Sequence, residues 1–224
     1  TLDQAGIAHA GAGRDRAEAR APAILSACGW KIAVVAFADH LEAWAATDTS
    51  PGINYVPIGL IPEAMQTVEH ALAAARRRAD LVIASFHWGP NMQTRPAPHF
   101  RELARRVIDM GADIFWGHSA HVPQGIEFRG GKIILYDTGD FVDDYAVDPA
   151  LRNDLSALYL VRVAPPRIEG VELLPVRIRD MQVNRARGND RDWIVHRLGS
   201  LCAEMDTDVI EQQGKETLSA VGSR

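Results

Sequence analysis

Cysteine is almost missing from this chain. Cys28 and Cys202 are the only two in 224 residues, too few and too far apart for a disulfide framework or a cysteine zinc site. Both fall in helical patterns and read as small buried residues, which fits a reducing compartment. No apolar run approaches the ~20 residues a membrane span needs, and no secretory signal pattern is visible. Charge of one sign is also lacking. Lys and Arg total 24 against 29 Asp and Glu, a net of −5, and the arginines are dispersed in helices rather than gathered in a stripe, which excludes nucleic acid as a partner. No internal repeat and no domain linker appear. What remains is an ordinary soluble composition, 47% hydrophobic and 24% charged, long enough for one sizeable core.

The informative stretch runs from Leu81 to His121. Residues 81–86 (LVIASF) have the length and apolarity of a buried strand. Pro98 suits a first helical turn, after which Phe100, Leu103, Ala104, Val107 and Ile108 repeat on one helical face and Gly111 supplies the stop. Residues 114–116 begin a second short strand. Strand, crossover helix and strand make a βαβ unit whose strands are expected to be parallel and to share a carboxyl edge, the edge at which open parallel sheets bind ligands. His87 leaves the first strand there; His118 and His121 follow the second. Imidazole is the commonest side-chain ligand for zinc and iron, so three of them brought together by topology predict a metal or phosphate site. A single histidine would more simply hydrogen-bond a loop carbonyl.

Residues 32–37 (IAVVAF) form another expected strand, joined to residues 81–86 by a helix over 62–79 with Met65, Val68, Leu72, Ala75 and Ala79 on its buried face. Asp39 and His40 follow that strand and are second-rank site candidates at the same edge. Residues 1–7 read as the last turns of a helix, and 17–28 as a helix closed by Gly29. Residues 11–15 (GAGRD) read as a tight connection rather than an anion nest, because the strand and lysine of a P-loop are missing. Residues 41–60 are a long loop in which Trp44 and Tyr55 either meet a substrate or pack on the domain edge. Beyond His121, residues 125–128 and 132–136 predict a hairpin around Gly130 and Gly131. Residues 137–149 are dense in carboxylates, a composition that suits hard cations or plain solvation, with Asp140 the one to watch. Residues 158–163 and 171–178 predict an antiparallel pair at the far side of the sheet. Asp190 is expected to cap a last helix carrying Trp193, Leu198, Leu201 and Met205, and 212–224 to fray. The domain division is a single domain over 1–206 and a polar tail over 207–224.

The segments SFHWGPN (85–91), GADIFWGHSAHVPQGIE (111–127) and IILYDTGDFVDDY (133–145) resemble the CapA family, bacterial proteins named for poly-γ-glutamate capsule synthesis, with a fold similar to calcineurin-like metallophosphatases. The likeness runs from Thr1 to about Leu201 and includes the GAGRD turn and the Ala-Pro-Ala start, in the family's order. It implies an α/β fold of metallophosphatase-like α/β/β/α sandwich type, parallel βαβ units being followed by antiparallel strands. It implies a divalent metal ion (manganese, zinc, iron or magnesium) held by His87, His118 and His121. His118 would be catalytic, Trp88, Asn91 and Asp140 would contact a small anionic substrate or anionic polymer, and Asn91 and Asp140 would alternatively orient the groups around the metal ligands.

Three departures bear on that expectation. Ser119 stands where many relatives carry a further histidine, and Asn91 where they carry an acid. Asp140 stands where many carry Asn. The family's amino-terminal third, with its Gly-Asp, Glu-bearing and Asn-Asn-His motifs, does not appear, so the chain is expected to hold half an active site and to be a fragment or degraded. Two functions compete: a metal-dependent hydrolase of phosphoesterase type, and a non-catalytic accessory or binding component of capsule-polymer synthesis. An inert remnant with structural histidines is the plainest reading. The cytoplasm is the expected location of the chain as it stands, with the cell envelope the alternative if an anchor precedes Thr1.

Overall fold

Hydrophobic periodicity sets most of the elements found in the computed structural model, which describes residues 2–165, 167–211 and 217–222. The protein is a mixed α/β chain whose sheets contain both parallel and antiparallel strands. It divides into two compact units, one of Thr1–Gly89 with Ala97–Gly117 and one of Pro90–Pro96 with His118–Arg224.

The first unit begins with a short turn at Asp3–Ala5, followed by β1 (Ala12–Gly13), α1 (Arg16–Arg20), β2 (Ala23–Ala27) and β3 (Trp30–Ala38). β4 (Gly52–Ile53), α2 (Pro62–Arg76), β5 (Leu81–His87), α3 (Pro98–Asp109) and β6 (Ile114–His118) complete it, β6 running one residue past the division. Four strands lie in the order β2-β3-β5-β6. β3 and β5 run parallel in a register that sets Ala38 beside His87, as the βαβ pattern predicts. Both long helices start with proline in the first turn, where the missing N–H costs no hydrogen bond. α2 buries Met65, Val68, Leu72 and Ala75, and α3 buries Leu103, Ala104, Val107 and Ile108. α2 stops at Arg76, leaving Ala79 outside the helix. Phe37 from β3, Phe86 from β5 and Phe115 from β6 stack in sequence, with centroid separations of 4.7 and 4.9 Å.

The expected helix over 17–28 is replaced by a short helix and a hairpin. Pro22 bars the helical conformation at the residue before it, and Ala21 is extended at ψ 137°. Residues 23–27 then pair antiparallel with β3 around Cys28 and Gly29, both at positive φ (51° and 82°), the backbone of a tight two-residue hairpin turn. Cys28 therefore lies exposed at a turn, not buried in a helix, whereas Cys202 is buried as expected.

The second unit holds the expected hairpin, β7 (Ile126–Arg129) with β8 (Lys132–Leu135). It continues with β9 (Leu155–Ala164), β10 (Arg167–Arg179), β11 (Gln182–Arg185), α4 (Gly188–Ala203), β12 (Thr207–Glu211) and β13 (Leu218–Gly222). β9 and β10 pair antiparallel as predicted, but in a five-stranded sheet of their own with β11, β13 and β12. α4 begins after Arg187, and Asp190 sits in its first turn rather than at the cap. The polar tail expected over 207–224 contains two strands. β13 pairs with both β10 and β12 and buries Leu218, Ser219 and Ala220. Residues 212–216 and 223–224 of that tail lie outside the described residues.

Candidate functional site

In the first unit the carboxyl ends of two parallel strands converge. Because Ala38 is in register with His87, the next residue, Asp39, donates its N–H to the His87 carbonyl at 3.1 Å. Asp39 Oδ2 accepts from the Gly89 N–H at 2.8 Å, and Gly89 itself adopts a positive φ (76°), at little cost to glycine. Asp39 Oδ1 is buried and has no hydrogen-bond partner among the described residues. It lies 3.6 Å from His40 Nδ1 and 4.0 Å from His87 Nδ1, the two rings standing 5.5 Å apart nearly edge to face. One ligand atom from each of Asp39, His40 and His87 falls within 4.8 Å of the others. Two imidazoles and a carboxylate are a donor set for first-row divalent metals. Tetrahedral donors on zinc, with bonds of about 2.1 Å, stand roughly 3.4 Å apart. The carboxylate is mostly covered, while His87 and His40 keep side-chain exposures of 42% and 56%, so the group faces solvent on its histidine side.

Trp88, expected at the substrate, is instead a core residue. It is 4% exposed, with its ring 4.7 Å from Phe115 and 5.0 Å from Phe100. A residue one step past a strand end turns back into the core as readily as out of it, and periodicity alone does not choose.

In the second unit the GHSAH loop is tied to the segment after β8 through buried Asp137. Its Oδ2 accepts from the Ala120 N–H and its Oδ1 from the Gly139 N–H, both at 2.8 Å. Its carbonyl accepts from the Gln124 N–H at 3.0 Å. The loop is strained, with Ser119 at φ 124° and His121 at φ 61°. Such backbone conformations persist where surrounding contacts enforce them. His121 Nδ1 lies 2.8 Å from Asp140 Oδ1, and its ring meets Tyr145 edge to face at 4.8 Å. His118 is half-buried at the end of β6, and Asn91 is exposed in the 90–96 segment. That segment is anchored within this unit by Met92 N–H to the Ala120 carbonyl at 2.8 Å and Gln124 Nε2 to the Gln93 carbonyl at 2.8 Å. The three histidines singled out in the sequence are thus divided, His87 in the first unit and His118 and His121 in the second. Asp39 and His40, second-rank in the sequence, are the residues grouped with His87. Asp137 was not singled out, although its place directly after the β8 run was the available signal.

Burial pushes the Asp137 carboxyl up to about 7, against the opposing pull of its two backbone donors and of His121. Burial and then Asp143 raise Asp140 to about 7, opposed by His121. Between pH 4 and pH 7 folded Asp137 therefore keeps a proton that the unfolded chain has released. Stability should fall as pH rises through that window, by at most about 1.4 kcal/mol per pH unit from this group. Urea titrations at about pH 4.5, 6 and 7.5, spanning the two carboxyl values, check it, and Asp137→Asn is expected to flatten part of the slope. An unchanged slope in that variant refutes the assignment.

A cavity of about 770 Å³ lies in the second unit, lined in part by Asp143, Tyr145, Arg152, Arg177 and Met181. Among the described residues no helix is long and apolar enough to cross a membrane.

Residues 1–145 match the model of the bacterial capsule synthesis protein family PGA_cap. The chain belongs to that family. It is 34% identical over 203 residues to a Mycobacterium tuberculosis protein named as a probable polyglutamine synthesis accessory protein, covering 86% of this chain and 53% of that one. It is 31% identical over 143 residues to the capsule biosynthesis protein CapA of Bacillus anthracis, covering 63% of this chain and 34% of that protein. It is 34% identical over 117 residues to the PGA biosynthesis protein CapA of Bacillus subtilis, covering 52% and 29%. The chain thus spans about half the length, or less, of the curated relatives it matches. A crystal structure of a hypothetical protein from Thermus thermophilus superposes at a TM-score of 0.38 with 14% identity, covering 73% of this chain and 58% of that one, too slight a likeness to carry an argument.

Proposed function

We propose that this PGA_cap chain serves capsule or poly-γ-glutamate synthesis as a metal-dependent hydrolase of phosphoesterase type acting on an anionic substrate. The observation that carries the metal reading is the Asp39–His40–His87 group, a carboxylate oxygen without a hydrogen-bond partner among the described residues and two imidazoles within 4.8 Å. The metallophosphatase-like α/β/β/α sandwich belongs to the same proposal. A divalent ion held there supplies Lewis acidity and a water acidified toward neutral pH. Asp39 brings negative charge to the ion, with Gly89 N–H fixing its second oxygen. His87 and His40 bring neutral nitrogen donors. The second unit holds its own pair of candidate metal ligands, His118 and His121, His118 also being the catalytic candidate, with Asn91 as a polar contact for an anionic group. Trp88 has no direct part, since its ring is enclosed by Phe86, Phe100 and Phe115.

Calorimetric titration with zinc or manganese tests the metal reading. His87→Ala should weaken binding at least tenfold, and Asp39→Asn should weaken it as well, since a neutral amide replaces the only anionic donor of the group. A native-state ligand at one hundred times its dissociation constant adds about 2.7 kcal/mol of stability, so melting curves with and without metal give a second readout. Hydrolysis is tested by metal-dependent release of nitrophenol from p-nitrophenyl phosphate. Absence of turnover with manganese, zinc, iron and magnesium overturns the hydrolase reading.

A second reading takes its support from the word accessory in the name of the M. tuberculosis relative. There the chain binds the anionic polymer without cleaving it. Polymer binding that survives His118→Ala, with no hydrolysis, selects this reading over the first.

A further inference from the structure

Asp140 drew attention in the sequence as a contact either to substrate or to the groups around the metal ligands, and its Oδ1 is turned toward the His121 ring, 2.8 Å from Nδ1. A substrate contact would place its carboxylate toward the ligand, whereas here one oxygen is committed to an imidazole of the same unit. Three further observations bear on that pairing. His121 holds a left-handed backbone (φ 61°), a conformation that costs a non-glycine residue roughly 1–2 kcal/mol. Its ring is fixed from another side by Tyr145 at 4.8 Å. Asp137 clamps the preceding residue, Ala120, to the segment that carries Asp140. The backbone, the neighbouring ring and the carboxylate therefore all set the same side chain.

We infer that Asp140 is a positioning residue, holding His121 as the tautomer protonated on Nδ1 with the lone pair of Nε2 left available for a ligand. An ionised carboxylate only accepts hydrogen bonds, so a ring nitrogen facing one carries the proton, and the other nitrogen is then the basic one. Metal-bound histidines are commonly oriented in this manner by a carboxylate on the far nitrogen, and loss of that partner typically lowers metal affinity about 10- to 100-fold. The purpose of the device rests on the metal reading proposed above; the device itself does not, and is visible without any ion.

Ring-nitrogen NMR of the metal-free protein, labelled with ¹⁵N-histidine, tests it directly. His121 should show the Nδ1–H pattern at about pH 8.5, where Asp140, raised to about 7, is ionised. Asp140→Asn keeps an acceptor oxygen and should retain that pattern, and Asp140→Ala should shift it toward Nε2–H or an exchanging mixture. Zinc affinity should fall about 10- to 100-fold in Asp140→Ala and by less in Asp140→Asn. An Nε2–H pattern in the parent protein, which would mean that the carboxyl donates to Nδ1, overturns the inference, as does a pattern that Asp140→Ala does not move. If Asp140→Ala fails to fold, the parent spectrum and Asp140→Asn decide between the same two outcomes. A normal tautomer pattern together with no metal binding refutes the metal reading and leaves the positioning role intact.

Discussion

Trp88→Ala is expected to destabilise the first unit by about 3–5 kcal/mol, the range for removing a buried large aromatic. The indole is 4% exposed and touches three aromatic neighbours, with ring centroids 4.7 Å from Phe115, 5.0 Å from Phe100 and 6.3 Å from Phe86. Those rings come from β5, β6 and α3, so the cavity left by alanine opens where three elements meet. Close packing prevents such a site from collapsing without moving backbone. Trp88→Phe keeps an aromatic ring against the same partners and should cost clearly less. Urea denaturation followed by circular dichroism measures both variants. A loss under about 1 kcal/mol for the alanine variant, well below the range for a buried aromatic, combined with loss of substrate or polymer binding, would return Trp88 to the binding role the sequence had suggested.

The parts of the fold legible in the sequence are those fixed by local period. The runs 32–37 and 81–86, the helix after Pro98 with its four buried apolar residues, and the hairpin around Gly130 and Gly131 follow from side-chain spacing and turn chemistry. Residues 23–27 misled because Ala, Leu and Ser carry weak strand preference, and helical propensity is readily overridden by pairing with a neighbouring strand. The break was visible at Ala21-Pro22, and so was the hairpin glycine at position 29. β13 was hidden for a different reason: its Leu218–Ala220 stretch is short and becomes a strand by pairing with β12 and with β10, the latter far earlier in the chain. That β9 and β10 form a separate sheet is a long-range fact that no local pattern carries.

The candidate site divides along the same line. His87 at a strand end was legible, and Asp39 was visible as a residue after a neighbouring strand. What joined them was the register that sets Ala38 beside His87, a property of the pairing rather than of either run. The His121–Asp140 contact spans nineteen residues of chain and depends on Asp137, whose buried carboxylate replaces the hydrogen bonds a regular element would have supplied to Ala120 and Gly139. Loops that lack a repeating backbone pattern are positioned by such individual side chains, and single-residue anchors leave no periodic trace.

The same logic gives the largest effect expected in the second unit, at Asp154. This carboxylate is 5% exposed at its side chain and takes a two-point contact from Arg152, with Nε at 2.8 Å and Nη2 at 3.0 Å. Arg177 stands 3.4 Å away, and Asp190 closes the ring with contacts of 3.0 Å to Arg152 and 2.7 Å to Arg177. The two carboxylates raise the Arg152 guanidinium above its ordinary value, Asp154 contributing most. Through this ring the loop that carries Arg152, itself at φ 52°, is fastened to β10 and to the first turn of α4. Asp154→Ala leaves two guanidinium groups facing one carboxylate. Removing one partner of a charged hydrogen-bonded group costs about 1–3 kcal/mol here, less than for a fully buried pair, because Arg152 and Arg177 keep 25% and 39% side-chain exposure and Asp190 still faces both. Asp190→Ala should cost less, since its side chain is 23% exposed and water can take its place. Denaturation midpoints of the two variants give the comparison. If both lose the same small amount, or if added salt weakens the parent protein as much as it weakens Asp154→Ala, the ring is a solvated surface cluster and does not fasten the loop.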